Sequence, residues 1–92
     1  MTISLDYDDT FTQDPGLWAA FIQAATQRGH VVLLTTNRSP AFGREVHRAL
    51  HGLPVAEVIF AGRLPKRVAA ARRGHRVDVW VDDLPHTVDL GR

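Results

Sequence analysis

Asp6, Asp8 and Asp9 close one short apolar run, Ile3-Ser4-Leu5, and Asp82-Asp83 close another, Val77-Asp78-Val79-Trp80-Val81. These five carboxylates are half of the ten acidic residues in the chain. If the two runs are neighbouring parallel strands, all five gather at the same carboxyl-terminal edge of one sheet. Carboxylates that close either take up protons or hold a cation. A cluster of oxygen donors without sulfur or imidazole suits a hard divalent ion, magnesium above all. The chemistry expected is therefore that of a metal-assisted enzyme.

The elements that must position these groups are legible in the pattern. Residues 3–6 form a first strand. Asp14-Pro15 supplies an N-cap and a first-turn proline for a helix reaching Gln27 or Arg28. Its apolar stripe is Leu17, Phe21, Ala24 and Ala25, widened by Trp18 and Ile22, and Gly29 stops it. Val31-Val32-Leu33-Leu34 is continuously apolar, as in a strand covered on both faces. Ser39-Pro40 opens a second helix to about Leu50, and Ala56–Phe60 is a third strand. A third helix runs from Leu64-Pro65 to Arg73, Val77–Val81 is the fourth strand, and Leu84–Arg92 has room for one turn. The order βαβαβαβ calls for an α/β domain with a parallel sheet, whose ligands bind beyond the carboxyl ends of the strands.

Composition narrows the classes. The chain has 92 residues, 45% hydrophobic and 23% charged, with net charge +1 and no cysteine. That is one small domain, burying roughly 60–65% of its extended-chain surface, with neither disulfides nor a thiolate metal site. No apolar run has the length of a membrane span. No basic residue precedes Arg28, so no secretory leader is expected and a cytoplasmic location is the default. The five histidines show no metal-ligand spacing, although His86, close after the acidic pair, is a candidate for the mouth of the site.

The motifs resemble those of the haloacid dehalogenase (HAD) superfamily of phosphatases and phosphotransferases. Asp6-Tyr7-Asp8-Asp9-Thr10 matches Asp-x-Asp-x-Thr after the first strand. Thr36 in Leu34-Thr35-Thr36-Asn37-Arg38 matches the hydroxyl residue ending the next strand, with Thr35 as the alternative. Lys66, the chain's only lysine, matches the lysine at a later helix start, and Asp82-Asp83 match the acidic pair. The resemblance spans roughly residues 3–88 and implies a Rossmann-like three-layer sandwich, its four-stranded sheet ordered 4-1-2-3 with the fourth strand at an edge. It implies that Asp6 is a nucleophile forming an aspartyl phosphate and that Asp8 is the acid/base. Magnesium would be held by Asp6, the Asp8 carbonyl, and Asp82 or Asp83. Thr36 and Lys66 would bind phosphoryl oxygens and neutralise charge, with Thr10, Asn37 and Arg38 binding substrate. Segments 10–15 and 62–65 leave no room for a cap domain. A capless site suits phosphorylated macromolecules, or a second copy of the chain acting as a lid.

Other assignments compete at each position. Asp6-x-Asp8-x-Thr10 fails as a calcium loop, because Phe11 and Leu17 stand where glycine and glutamate belong. A response-regulator receiver would order its threonine and lysine after both acidic clusters. Asp82-Asp83 have an alternative role capping the turn at Leu84-Pro85. Residues 63–76 hold Arg63, Lys66, Arg67, Arg72, Arg73 and Arg76, either a solvated helix face or an anion-attracting rim. Two further functions therefore stand beside the phosphatase: a phosphate-binding module without turnover, and a nucleic-acid end phosphatase or binding protein using that basic segment.

Overall fold

The computed structural model describes residues 1–92. Its strands are β1 (Thr2–Leu5), β2 (Val31–Thr36), β3 (Glu57–Phe60) and β4 (Val79–Val81). Its α-helices are α1 (Pro15–Gln27), α2 (Arg44–Ala49) and α3 (Lys66–Arg72). Single 3-10 turns lie at Phe11–Gln13, Pro40–Phe42 and Pro85–Val88. All strand pairs are parallel, and hydrogen-bonded neighbours run β3-β2-β1-β4. Counted from the β4 edge, that order is 4-1-2-3. The arrangement is compatible with a Rossmann-like α/β fold.

Alternation along β2 divides the core. Leu5, Val32 and Leu34 pack with Ile22 and Ala25 of α1 and with Val46 and Leu50 at α2. Leu33 and Ile59 point the other way, joining Ala69 and Ala70 of α3 and Val77. Helices thus cover both faces, which explains why β2 is apolar without a polar alternate. No helix is long and apolar enough to cross a membrane.

Several boundaries differ from the sequence expectation for physical reasons. Asp14 does cap α1, its Oδ1 accepting from Leu17 N at 3.1 Å. The buried stripe of that helix is rotated, however: Leu17 and Ala24 face solvent while Ile22 and Ala25 are buried. The segment expected to be one helix from Ser39 is broken at Gly43, where a Cβ would collide with the Phe60 ring. That break leaves α2 only six residues long and turns Phe42 outward. Val77 and Asp78 precede β4 rather than belonging to it. Val77 drops into the α3-side core, and Asp78 clamps Thr2, its N–H donating to Thr2 O and its Oδ2 accepting from Thr2 N, both at 2.8 Å.

The candidate active site

The strand-loop junction after β1 sets three carboxylates, Asp6, Asp8 and Asp9, on the cavity and one ring in the core. Asp6 and Asp8 line the cavity. Tyr7, between them, is buried and stacks on Phe11 with ring centroids 5.8 Å apart. Asp9 then adopts φ 61, a left-handed conformation that aspartate tolerates better than most residues. Its N–H donates to Thr12 Oγ1 at 2.9 Å. The turn sends Thr10 inward to β4, where its hydroxyl donates to Asp83 Oδ1 and accepts from Asp83 N, both at 3.2 Å. Thr10, expected to contact substrate, is instead a buried brace between the two acidic loops and does not line the cavity.

Lys66 enters from the first residue of α3 and is 2% exposed. Its Nζ donates to Asp6 Oδ1 at 2.9 Å and to Asp82 Oδ2. A lysine buried this deeply requires such partners. Asp82 uses its other oxygen to accept from Leu84 N at 3.0 Å, so it also caps the following turn. Asp6, Asp82 and Asp83 each offer a carboxylate oxygen within 4.8 Å of the others.

One ammonium cannot neutralise three carboxylates. Burial pushes Asp6 up to about 7, with the adjoining Asp83 adding to the rise and Lys66 opposing it. Asp83 moves the opposite way, held low chiefly by its hydrogen bond with Asp6. A proton shared between the two therefore resides on Asp6. Three oxygen donors with unmet negative charge fit a hard divalent cation, which would take that proton's place.

The opposite wall comes from β2. Thr35 is turned away, its Oγ1 2.7 Å from Ser4 Oγ in the core. Thr36 lines the cavity, its Oγ1 accepting from Arg38 N at 3.2 Å. Geometry thus separates the two threonines that sequence left as alternatives. Asn37 lines the cavity too, but its Nδ2 donates to Gly62 O at 2.9 Å and Leu64 O at 3.4 Å, tying the β2 loop to the β3 loop.

Arg38 grips Asp8 with two parallel bonds, Nε to Oδ2 at 2.9 Å and Nη2 to Oδ1 at 2.8 Å. Its remaining nitrogen, Nη1, donates to Glu45 Oε2 at 3.1 Å and Phe42 O at 3.3 Å. The guanidinium also lies over the Tyr7 ring, 5.2 Å from its centroid. The Asp8 carboxylate consequently stands apart from the Asp6-Asp82-Asp83 triad.

The resulting cavity has a volume of about 140 Å³. Asp6, Asp8, Thr36, Asn37, Arg38, Lys66, Asp82 and Asp83 all line it, as do Asp9, Leu84 and Arg92. Arg92 carried no motif signal; it reaches the cavity because its N–H is held by Arg63 O at 3.0 Å. His86, a candidate for the mouth, is exposed and takes no part. In the basic segment 63–76, Lys66 is consumed by this site, Arg67 pairs with Asp89, and Arg73 pairs with Glu57. That half-neutralised segment is a poor anion rim.

Comparison with known proteins returns no match: no protein-family model, curated protein or solved structure is significantly similar to the chain.

Proposed function

We propose that the protein is a magnesium-dependent phosphomonoester hydrolase of the HAD type, acting through an aspartyl phosphate. The observation that carries this reading is the Asp6–Lys66–Asp82 bridge with Asp83 beside it, facing Thr36 across the cavity. A nucleophilic carboxylate needs positive charge around it to meet an anionic phosphate, and a hydroxyl opposite to hold the phosphoryl oxygens.

In the first step an Asp6 oxygen attacks phosphorus, and the bond from phosphorus to the leaving oxygen breaks. The electron pair stays on that oxygen, which takes a proton from the Asp8 carboxyl group. In the second step water attacks the same phosphorus, gives its proton to Asp8, and the phosphorus–Asp6 bond breaks. Inorganic phosphate and the free Asp6 carboxylate remain. Lys66 holds Asp6 in line, while Thr36 Oγ1 and neighbouring amides bind phosphoryl oxygens. Asp6, Asp82, Asp83 and the Asp8 carbonyl would hold magnesium, which supplies charge neutralisation of nucleophile and phosphate when bound. The short segments 10–15 and 62–65 leave the site without a cap, in keeping with a phosphorylated macromolecule as substrate.

Hydrolysis of p-nitrophenyl phosphate with and without magnesium tests this directly. Asp6→Asn keeps the size of the side chain and should reduce the rate below about a thousandth of wild type. Retention of a tenth of the activity would refute the covalent mechanism.

A second reading has its own observation. Both oxygens of Asp8 are occupied by Arg38, which takes the acid/base out of play and suits a phosphate-binding module without turnover. Tight binding of inorganic phosphate combined with no hydrolysis of an aryl phosphate would select it.

A further inference from the structure

Arg38 has two sides. Nε and Nη2 hold Asp8 in the candidate active site, while Nη1 holds the Phe42 carbonyl and Glu45. The second side belongs to a separate shallow cavity of about 300 Å³, lined by Arg38, Ala41, Phe42, Arg44, Glu45 and Arg48. The two cavities therefore share a wall, and one guanidinium fixes their relative position.

The chemistry of the second cavity is uneven in an informative way. Asp8 and Glu45 are committed to Arg38. Arg44 and Arg48 are exposed and make no ion pair. Four residues apart on α2, they project from one face of the helix. Phe42 is 70% exposed, a large aromatic ring in water with nothing packed over it. It ends the 3-10 turn just before Gly43, a position that the Phe60 ring keeps free of a side chain. Two free cations beside an exposed aromatic ring, on the other side of Arg38 from the candidate active site, are the elements of a single-stranded nucleic-acid site. The unpaired arginines of 63–76 differ: Arg72 lines a cavity that shares no residue with the candidate active site, and Arg63 and Arg76 line none.

We propose that Phe42, Arg44 and Arg48 form a docking platform for the end of a single-stranded nucleic acid. The terminal base stacks on Phe42 and the following phosphates lie on Arg44 and Arg48. The proposal rests on the phosphatase reading only in setting the terminal phosphate toward Asp6. A phosphorylated peptide would use the arginines but has no base for the ring, which is why nucleic acid is the partner chosen.

The test is fluorescence anisotropy of a 3′-labelled oligothymidylate carrying a 5′ phosphate, with wild-type protein in EDTA over a range of salt. Each phosphate contact on a single strand contributes a slope of about −0.7 in log K against log salt. Arg44→Gln with Arg48→Gln should therefore remove about 1.4 from the slope. Phe42→Leu should weaken binding about tenfold without changing the slope, as loss of one stacked base does. An unaltered slope in the double variant, or unaltered affinity in Phe42→Leu, overturns the platform. A phosphoserine peptide that competes as well as the oligonucleotide overturns the nucleic-acid assignment. p-Nitrophenyl phosphate hydrolysis by the same wild-type protein separates the two ideas. Oligonucleotide binding with these signatures but no hydrolysis leaves the platform standing and removes the phosphatase; hydrolysis without binding does the reverse.

Discussion

Asp6 and Asp8 are two residues apart and both line one cavity, yet they sit in opposite electrostatic surroundings. Asp6 is buried against a buried lysine and a second carboxylate. Asp8 is half exposed and held by an arginine at the rim. The β1–β4 half of the site thus centres on a buried lysine shared by Asp6 and Asp82, with the exposed Asp83 beside them, whereas the β2 half is a more solvated arginine shared by Asp8 and Glu45. The difference teaches where the electrostatic contribution to stability is concentrated. The buried Lys66, Asp6 and Asp82 side chains interact at lower effective dielectric than the more exposed Arg38, Asp8 and Glu45, which are screened.

The sharpest way to break this contrast is Lys66→Met. Removing the ammonium leaves Asp6, Asp82 and Asp83 together without compensation, and should cost about 3 kcal/mol of unfolding free energy at pH 8. The cost should shrink at pH 5, where Asp6 takes up a proton. Urea unfolding at the two pH values checks both points, and a loss under about 1 kcal/mol at pH 8 would mean that Lys66 is solvated.

Magnesium should have the next largest effect. At a hundredfold excess over its dissociation constant it should stabilise the native state by about 2.7 kcal/mol, and Asp82→Asn should reduce that gain. Thermal unfolding with and without the ion measures it; an unchanged Tm at millimolar magnesium would break the triad as a metal site.

Acidity sharpens the comparison further. The folded-state value of Asp6 is raised from 3.8 to about 7, so the native state binds the proton more tightly than the unfolded chain does. Its contribution to stability is therefore full below about pH 4 and declines as pH rises through 7, by about 2 kcal/mol after solvent screening. Asp83 is lowered, so its own contribution is lost only as pH falls below the usual carboxylate range, outside this window. Without magnesium, wild type should lose stability between about pH 4 and pH 7 and level off above it, and Asp6→Asn should flatten that part of the profile. An equal slope in the variant would assign the proton elsewhere.

The smallest effect belongs to the rim. Arg38→Met should change stability by no more than about 1 kcal/mol, because its partners are solvated. It should nevertheless alter turnover by freeing Asp8. A stability loss comparable to that of Lys66→Met would erase the distinction between the two halves.

Much of this arrangement was written in local pattern. The order of elements, the Asp14 cap, the fully covered β2 and the convergence of Asp6, Asp82 and Asp83 follow from periodicity and from the rule that parallel strands present their carboxyl ends together, whereas Thr36 and Lys66 are expected there from the resemblance of their motifs. Sequence left other points open or wrong because they depend on residues distant along the chain. Thr10 turns to Asp83, 73 residues away, rather than to a substrate. The helix expected from Ser39 is interrupted at Gly43, which Phe60 on distant β3 keeps free of a side chain.

The sequence by itself determined that each acidic cluster would end an apolar strand, since the strand pattern is local, while the parallel pairing of β1 with β4 brought the two clusters to one sheet edge. Which cations remain available was decided only by tertiary structure. Segment 63–76 carries more basic residues, but Asp6, Asp82, Asp89 and Glu57 reach three of them. Arg44 and Arg48 keep their charge for solvent because the one acid between them, Glu45, is drawn to Arg38. Charge number is a property of composition, whereas charge availability depends on what the fold brings within hydrogen-bonding reach.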